Sequence, residues 1–198
     1  APAPTQTSPL VYRPSVLLPQ GNSGGARRML PLNGAYTRAI AAARVALQAD
    51  DKGVDAVVAA VPEKGLASGG LAYDRFRWRI RKDLYDSAGD LLLERSVNAA
   101  ALGDPAQWAD WRRRLARKEM REGDARRAYR MASAHFLAGG SDYADLEWLA
   151  GYIALRKLGD ATTAVRDESS RTFIRKFAQT SKDEIAKLLK TQAADAAS

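Results

Sequence analysis

The sequence predicts an all-α protein, an open stack of helical hairpins (a solenoid of the tetratricopeptide-like, superhelical kind) with an extended N-terminal arm. Three observations predict it. First, the stretch 104–164 reads as three helices with clear punctuation and no β-branched run to interrupt them. Second, Gly123-Asp124-Ala125-Arg126-Arg127-Ala128-Tyr129-Arg130 returns as Gly159-Asp160-Ala161-Thr162-Thr163-Ala164-Val165-Arg166, about 36 residues on. Shorter echoes at Gly89-Asp90-Leu91 and Gly53-Val54-Asp55 extend the period, which is that of helical-hairpin solenoids. Third, the run from Ser141 to Leu158 is apolar on two faces. Leu146, Leu149 and Ile153 make one; Trp148, Tyr152 and Leu155 make the other. A helix apolar on two sides is expected to be sandwiched between neighbours.

In chain order, residues 1–34 form an arm rich in Pro and Gly with no helical period. Its patches Leu10-Val11-Tyr12 and Val16-Leu17-Leu18 suit a cover over the apolar end of the first hairpin; the competing reading is an arm that lies along a partner. Residues 35–190 form the solenoid and 191–198 a frayed tail. Tyr36 to Ala49 is a helix with Ile40, Ala43, Val45 and Leu47 inside and Arg38 and Arg44 for solvent. Asp50 or Asp51 caps a second helix that runs to Val61 and stops at Pro62, and Gly65 to Gly70 is a loop. Leu71 to Arg81 alternates strictly from Tyr73, as a strand would, but its helical surroundings favour a helix. Leu84 to Ser96 follows.

Asp104-Pro105 opens the next helix, with Asp104 as N-cap, Pro105 at the first position and Gln107 placed for a capping box. Trp108, Trp111 and Leu115 form its inner stripe, opposite an arginine-rich surface. Gly123-Asp124 starts another helix, whose inner stripe is Ala125, Ala128, Tyr129, Ala132 and Phe136. Gly139-Gly140-Ser141 makes the following turn. Trp108 and Trp148 are expected as core anchors. Beyond Ala161 the helix continues to Ala178, and Ser181 to Glu184 caps a last one.

The runs Leu71 to Lys82, Arg117 to Ala132 and Ala144 to Leu155 resemble the superhelical, non-catalytic region of soluble lytic murein transglycosylases. The resemblance covers about half the chain, from near Gly70 to near Ala164. It implies a periplasmic α-solenoid that accompanies the cleavage of peptidoglycan glycan strands by a separate lysozyme-like domain. It also implies a reading for Arg166-Asp167-Glu168-Ser169, which matches the R-x-E-S motif of the family's catalytic glutamate. There the carboxylic acid protonates the glycosidic oxygen inside a cleft that raises its pKa. Glu168 is not assigned that role. No glycine follows Gly159, so the family's glycine-bearing partner segment is missing, and only thirty residues follow Glu168, too few for such a cleft.

No other catalytic constellation is visible. His135, the single histidine beside Phe136, reads as a packed or capping side chain. There is no cysteine, so no disulfide or thiolate metal site, and the acids lack metal-ligand spacing; no cofactor is expected. No apolar run reaches the roughly 18 residues of a membrane helix. The Pro- and Ala-rich start, without Met, suits either a mature periplasmic chain after signal-peptide removal or a trimmed one.

Charge is the remaining functional signal. Net charge is +8 and pI near 9.9. Arg75 and Arg79, then Arg112, Arg113 and Arg117, then Arg126 and Arg130 are the candidate binding residues on three basic clusters. Such a surface attracts polyanions. Interleaved acids such as Asp74, Asp110, Glu119 and Glu122 also fit an ordinary solvated helix face. No nucleic-acid motif or exposed aromatic loop is present, which counts against nucleic acid. Two functions remain: a non-catalytic solenoid that positions peptidoglycan, or a periplasmic adaptor that binds another protein in a groove.

Overall fold

The computed structural model describes residues 34–160 and Thr163. Every regular element among them is a helix. The chain divides into two compact units after Asp83. The N-terminal arm, the segment around Glu168 and the last capping box lie outside the described residues.

The first unit holds α1 (Ala35–Ala49), α2 (Val54–Ala59), α3 (Glu63–Leu66) and α4 (Gly69–Arg81). α1 packs on α2, α3 and α4. Ile40, Ala43, Leu47, Val54, Val61 and Leu71 make its core. Asp50 does not open the second helix. It closes α1 in the left-handed region (φ 57°), and α2 starts later, after Gly53 (φ 77°). Asp tolerates this conformation better than most residues, and here its carboxylate is also used: Trp78 Nε1 donates to Oδ1 at 2.9 Å and Lys82 Nζ to Oδ2 at 2.7 Å.

The expected loop from Gly65 to Gly70 is instead α3 and the first turn of α4. Its glycines are there for close packing. A Cβ on Gly65 would lie 2.7 Å from Val61 Cγ1, and one on Gly70 would lie 2.9 Å from the Arg44 guanidinium. The ambiguous segment from Leu71 is helix α4, which buries Leu71, Ala72, Tyr73, Asp74, Phe76 and Ile80. Within the alternating stretch the buried residues Tyr73, Asp74, Phe76 and Ile80 stand at i, i+1, i+3 and i+7, which fits a helix and not a strand, so burial overrides the alternation.

The second unit holds α5 (Tyr85–Arg95), α6 (Ala99–Leu102), α7 (Pro105–Glu122), α8 (Ala125–Ser133) and α9 (Ser141–Lys157). α7 and α8 form a hairpin, α9 packs on both, and α5 packs on both as well. Buried Ala116, Ala128, Ala132, Ala150 and Ala154 allow these axes to approach. The aspartate N-caps expected at Asp104 and Asp124 are present. Asp104 Oδ1 accepts from Ala106 N, and Gln107 Nε2 donates to Asp104 Oδ2. Gly123 (φ 103°) ends α7, and Asp124 Oδ1 accepts from Arg127 N at 2.8 Å. The repeat reproduces this junction: Gly159 has φ 68°, and Asp160 Oδ1 accepts from Thr163 N at 2.9 Å.

The Gly89 echo is not a junction. Gly89 lies inside α5, where a Cβ would meet Met131 Cε at 2.7 Å and Arg127 Nη2 at 2.9 Å. It is a packing glycine. The α8 stripe also ends early. α8 stops at Ser133, and Phe136 is left-handed (φ 55°) and 42% exposed. The side chain that turns inward there is His135. Its Nδ1 accepts from Leu137 N at 3.0 Å and its Nε2 lies 2.7 Å from Glu147 Oε1 on α9. With Nδ1 accepting, Nε2 carries the proton and donates to Glu147. The histidine is thus a buried strut.

The two tryptophan anchors part company. Trp108 is fully buried, with Nε1 donating to Leu102 O at 3.1 Å. Trp148 is only half-buried, as are Tyr152 and Leu155; its indole stacks on Tyr152 of the next turn, centroids 5.5 Å apart. Trp108→Ala should cost about 3–5 kcal/mol of unfolding free energy, and Trp148→Ala about 1–2 kcal/mol. Urea midpoints of the two variants check this; a larger loss at Trp148 contradicts it.

Candidate anion-binding surface

The basic residues fall into three physical groups. The first is bonded to helix C-termini. The last carbonyls of a helix lack intrahelical partners and carry partial negative charge. Arg81 Nη2 donates to Leu47 O at the end of α1, and Arg95 donates through Nε and Nη2 to Ala101 O in α6. Arg112 does the same from the interior. It is fully buried, with Nη1 donating to Met131 O in the last turn of α8 and Nη2 to Ser96 Oγ, the C-cap of α5, each at 2.7 Å. Ser96 Oγ in turn donates to Leu92 O. Burial alone pushes the Arg112 guanidinium down to about 9, so at neutral pH it is still a cation. Arg112 is therefore not part of the binding surface, contrary to the sequence reading.

The second group is neutralised by acids. Arg44, expected in solvent, is buried against Asp74 at 2.5 Å, and Gln48 Nε2 donates to the other carboxylate oxygen at 3.1 Å. Burial pushes the Asp74 carboxyl up, and Arg44 and Gln48 only partly offset this. Arg113 contacts Asp142 at 2.8 Å and Asp145 at 2.7 Å across the α7–α9 interface, with Asp110 further off. Arg114 pairs with Asp110 and lies over the Trp111 ring. Lys118 pairs with Glu122 and Asp86, which hold its ammonium above the usual range. Arg127 bridges Asp90 and Glu119; burial works to lower it, and those two acids outweigh burial and raise it.

The third group faces water. Arg117 on α7 and Arg126 and Arg130 on α8 are exposed, with no hydrogen-bond or ion-pair partner among the described residues. Arg121 joins them, one turn beyond Arg117 on the same face. The spacing Arg117–Arg121 already carried that signal. Each pair lies opposite the buried stripe of its own helix, Trp108, Leu115 and Ala116 in α7 and Ala128, Met131 and Ala132 in α8. Arg75 and Arg79 are half-buried and line a cleft in the first unit.

Among the described residues no three acidic or imidazole groups converge as a metal site, and no helix is long and apolar enough to cross a membrane. Glu168 lies outside the described residues. The chain matches no protein-family model, no curated protein and no solved structure.

The buried pair yields a direct expectation. Asp74→Ala removes the carboxylate that meets the buried Arg44 guanidinium and should cost about 3–5 kcal/mol. Joint replacement with Arg44→Met and Asp74→Leu should recover most of that, because no uncompensated charge then remains. Equal destabilisation in the single and double variants by urea unfolding contradicts this.

Proposed function

We propose that the chain is a non-catalytic helical-hairpin solenoid of the kind that accompanies lytic murein transglycosylases, and that it positions peptidoglycan by surface attraction. The repeated Gly-Asp junction supports the solenoid part. Two left-handed glycines, each followed by an aspartate that caps the amide three residues on, recur at the hairpin period.

One observation carries the functional part. Arg95, Arg112, Arg113, Arg114, Lys118 and Arg127 are tied to acids, carbonyls or a hydroxyl, whereas the exposed Arg117, Arg121, Arg126 and Arg130 have no such partner among the described residues. They lie on outward faces, with the paired acids drawn to other cations. An outward guanidinium row recognises a carboxylate-bearing polymer, and the stem peptides of peptidoglycan are such a polymer. Peptidoglycan attraction of this kind weakens with salt.

Co-sedimentation with insoluble sacculi tests this. The chain should pellet at low ionic strength and be released as salt rises. Replacing Arg117, Arg121, Arg126 and Arg130 together by Gln should abolish pelleting, whereas Arg114→Gln, at an exposed cation already paired with Asp110, should not. No soluble anhydro-muropeptides should appear. Pelleting that survives high salt and the fourfold variant sinks the proposal; product that vanishes in Glu168→Gln makes the chain an enzyme instead.

A further inference from the structure

We infer that the cleft of the first unit is a docking site for a partner protein's acidic segment, one aliphatic side chain of which enters the cleft. The floor is apolar and continuous with the core of that unit: Leu47 of α1, Val54 and Val58 of α2, and the indole of Trp78 on α4. The α4 wall carries Arg75 and Arg79, one turn apart; the α2 wall carries Asp55. The volume, about 110 Å³, decides the class of occupant. Sites for whole small molecules run to roughly 300–1,000 Å³. This cleft holds a single anchor side chain, as the central pocket of a protein interface does.

The charge on the rim sets what flanks that anchor. Arg75 has no ion-pair partner among the described residues. Asp74, its neighbour in sequence, is already held by Arg44. The Arg75 guanidinium therefore makes the α4 side of the rim positive, with Asp55 on the opposite, α2 side. Trp78 is fixed in place by its bond to Asp50, so the aromatic wall is preorganised and little ordering cost falls on binding. The fitting motif is thus a Leu, Ile or Val next to Glu or Asp. The inference is independent of the cell-wall reading, which concerns other residues in the second unit.

The probe is the peptide acetyl-Gln-Glu-Leu-Glu-Gln-amide, titrated into the ¹⁵N-labelled chain while the indole N–H resonances are followed. Of the four indoles, that of Trp78 should shift saturably; assignment by Trp78→Phe identifies it. Replacing the peptide Leu by Ala should weaken binding about tenfold or more, and replacing its Glu residues by Gln about tenfold. Arg75→Gln should weaken binding, and Asp55→Asn should tighten it about two- to threefold. The last is a gain that damaged folding cannot produce. Absence of a saturable Trp78 shift overturns the inference, as does equal affinity for the Ala peptide or for Arg75→Gln. Isocaproate binding as tightly as the peptide would make the cleft a small-molecule site and overturn it too.

Discussion

A guanidinium held against the carbonyl end of a helix is the interaction on which the second unit depends, and Arg112 is its central case. Arg112 projects from the inner stripe of α7 and reaches the C-terminal ends of both α8 and α5. Among the described residues no carboxylate neutralises it. The carbonyl end of α8 takes the place of a counter-ion, the Ser96 hydroxyl relays the second bond to Leu92 O of α5, and the planar fork of arginine lets one side chain serve both. The arrangement fixes where α8 and α5 must stop relative to α7. Glu119, two turns along α7, then holds Arg127 of α8, and Asp90 of α5 holds the same guanidinium from its other side. Gly89 leaves room for that contact.

The first unit solves a related problem with a carboxylate. Arg44 is buried among Ile40 and Leu47 and meets Asp74 directly. The raised Asp74 pKa shows the residual cost of taking the carboxylate out of water. Protonation relieves that cost as pH falls through the raised value, so this group does not by itself drive acid unfolding. What holds the pair is geometry: Gly70 leaves room beside the guanidinium, and Gln48 closes the second carboxylate oxygen.

Much of the fold is legible in the residues. Asp104, Asp124 and Asp160 are caps because a short carboxylate before a helical run has an amide to accept from. The buried arginines were not read from charge, yet a signal was there. Arg44 lies four residues after Ile40 and three before Leu47; Arg112 stands in the same relation to Trp108 and Leu115. A residue in that slot lies on the buried stripe whatever its charge. Glycines 65, 70 and 89 misled for a complementary reason: in sequence a packing glycine looks the same as a turn glycine. Phe136 and Trp148 misled because apolar character alone does not place a side chain inside. Of the candidate site, Arg117, Arg126 and Arg130 were legible from their position opposite the apolar stripe. Arg113 was not, since its acids Asp142 and Asp145 come from a different helix.

Folding sorts the arginines of the described residues into buried braces, such as Arg44 and Arg112, and outward charges without a partner, such as Arg117 and Arg126. Arginine footprinting with phenylglyoxal, read by mass spectrometry on the native chain, tests it most directly. Arg117, Arg121, Arg126 and Arg130 should be modified quickly, and Arg44 and Arg112 only after the chain is unfolded in denaturant. Modification of Arg112 in the native chain at the rate of Arg117 would contradict the account.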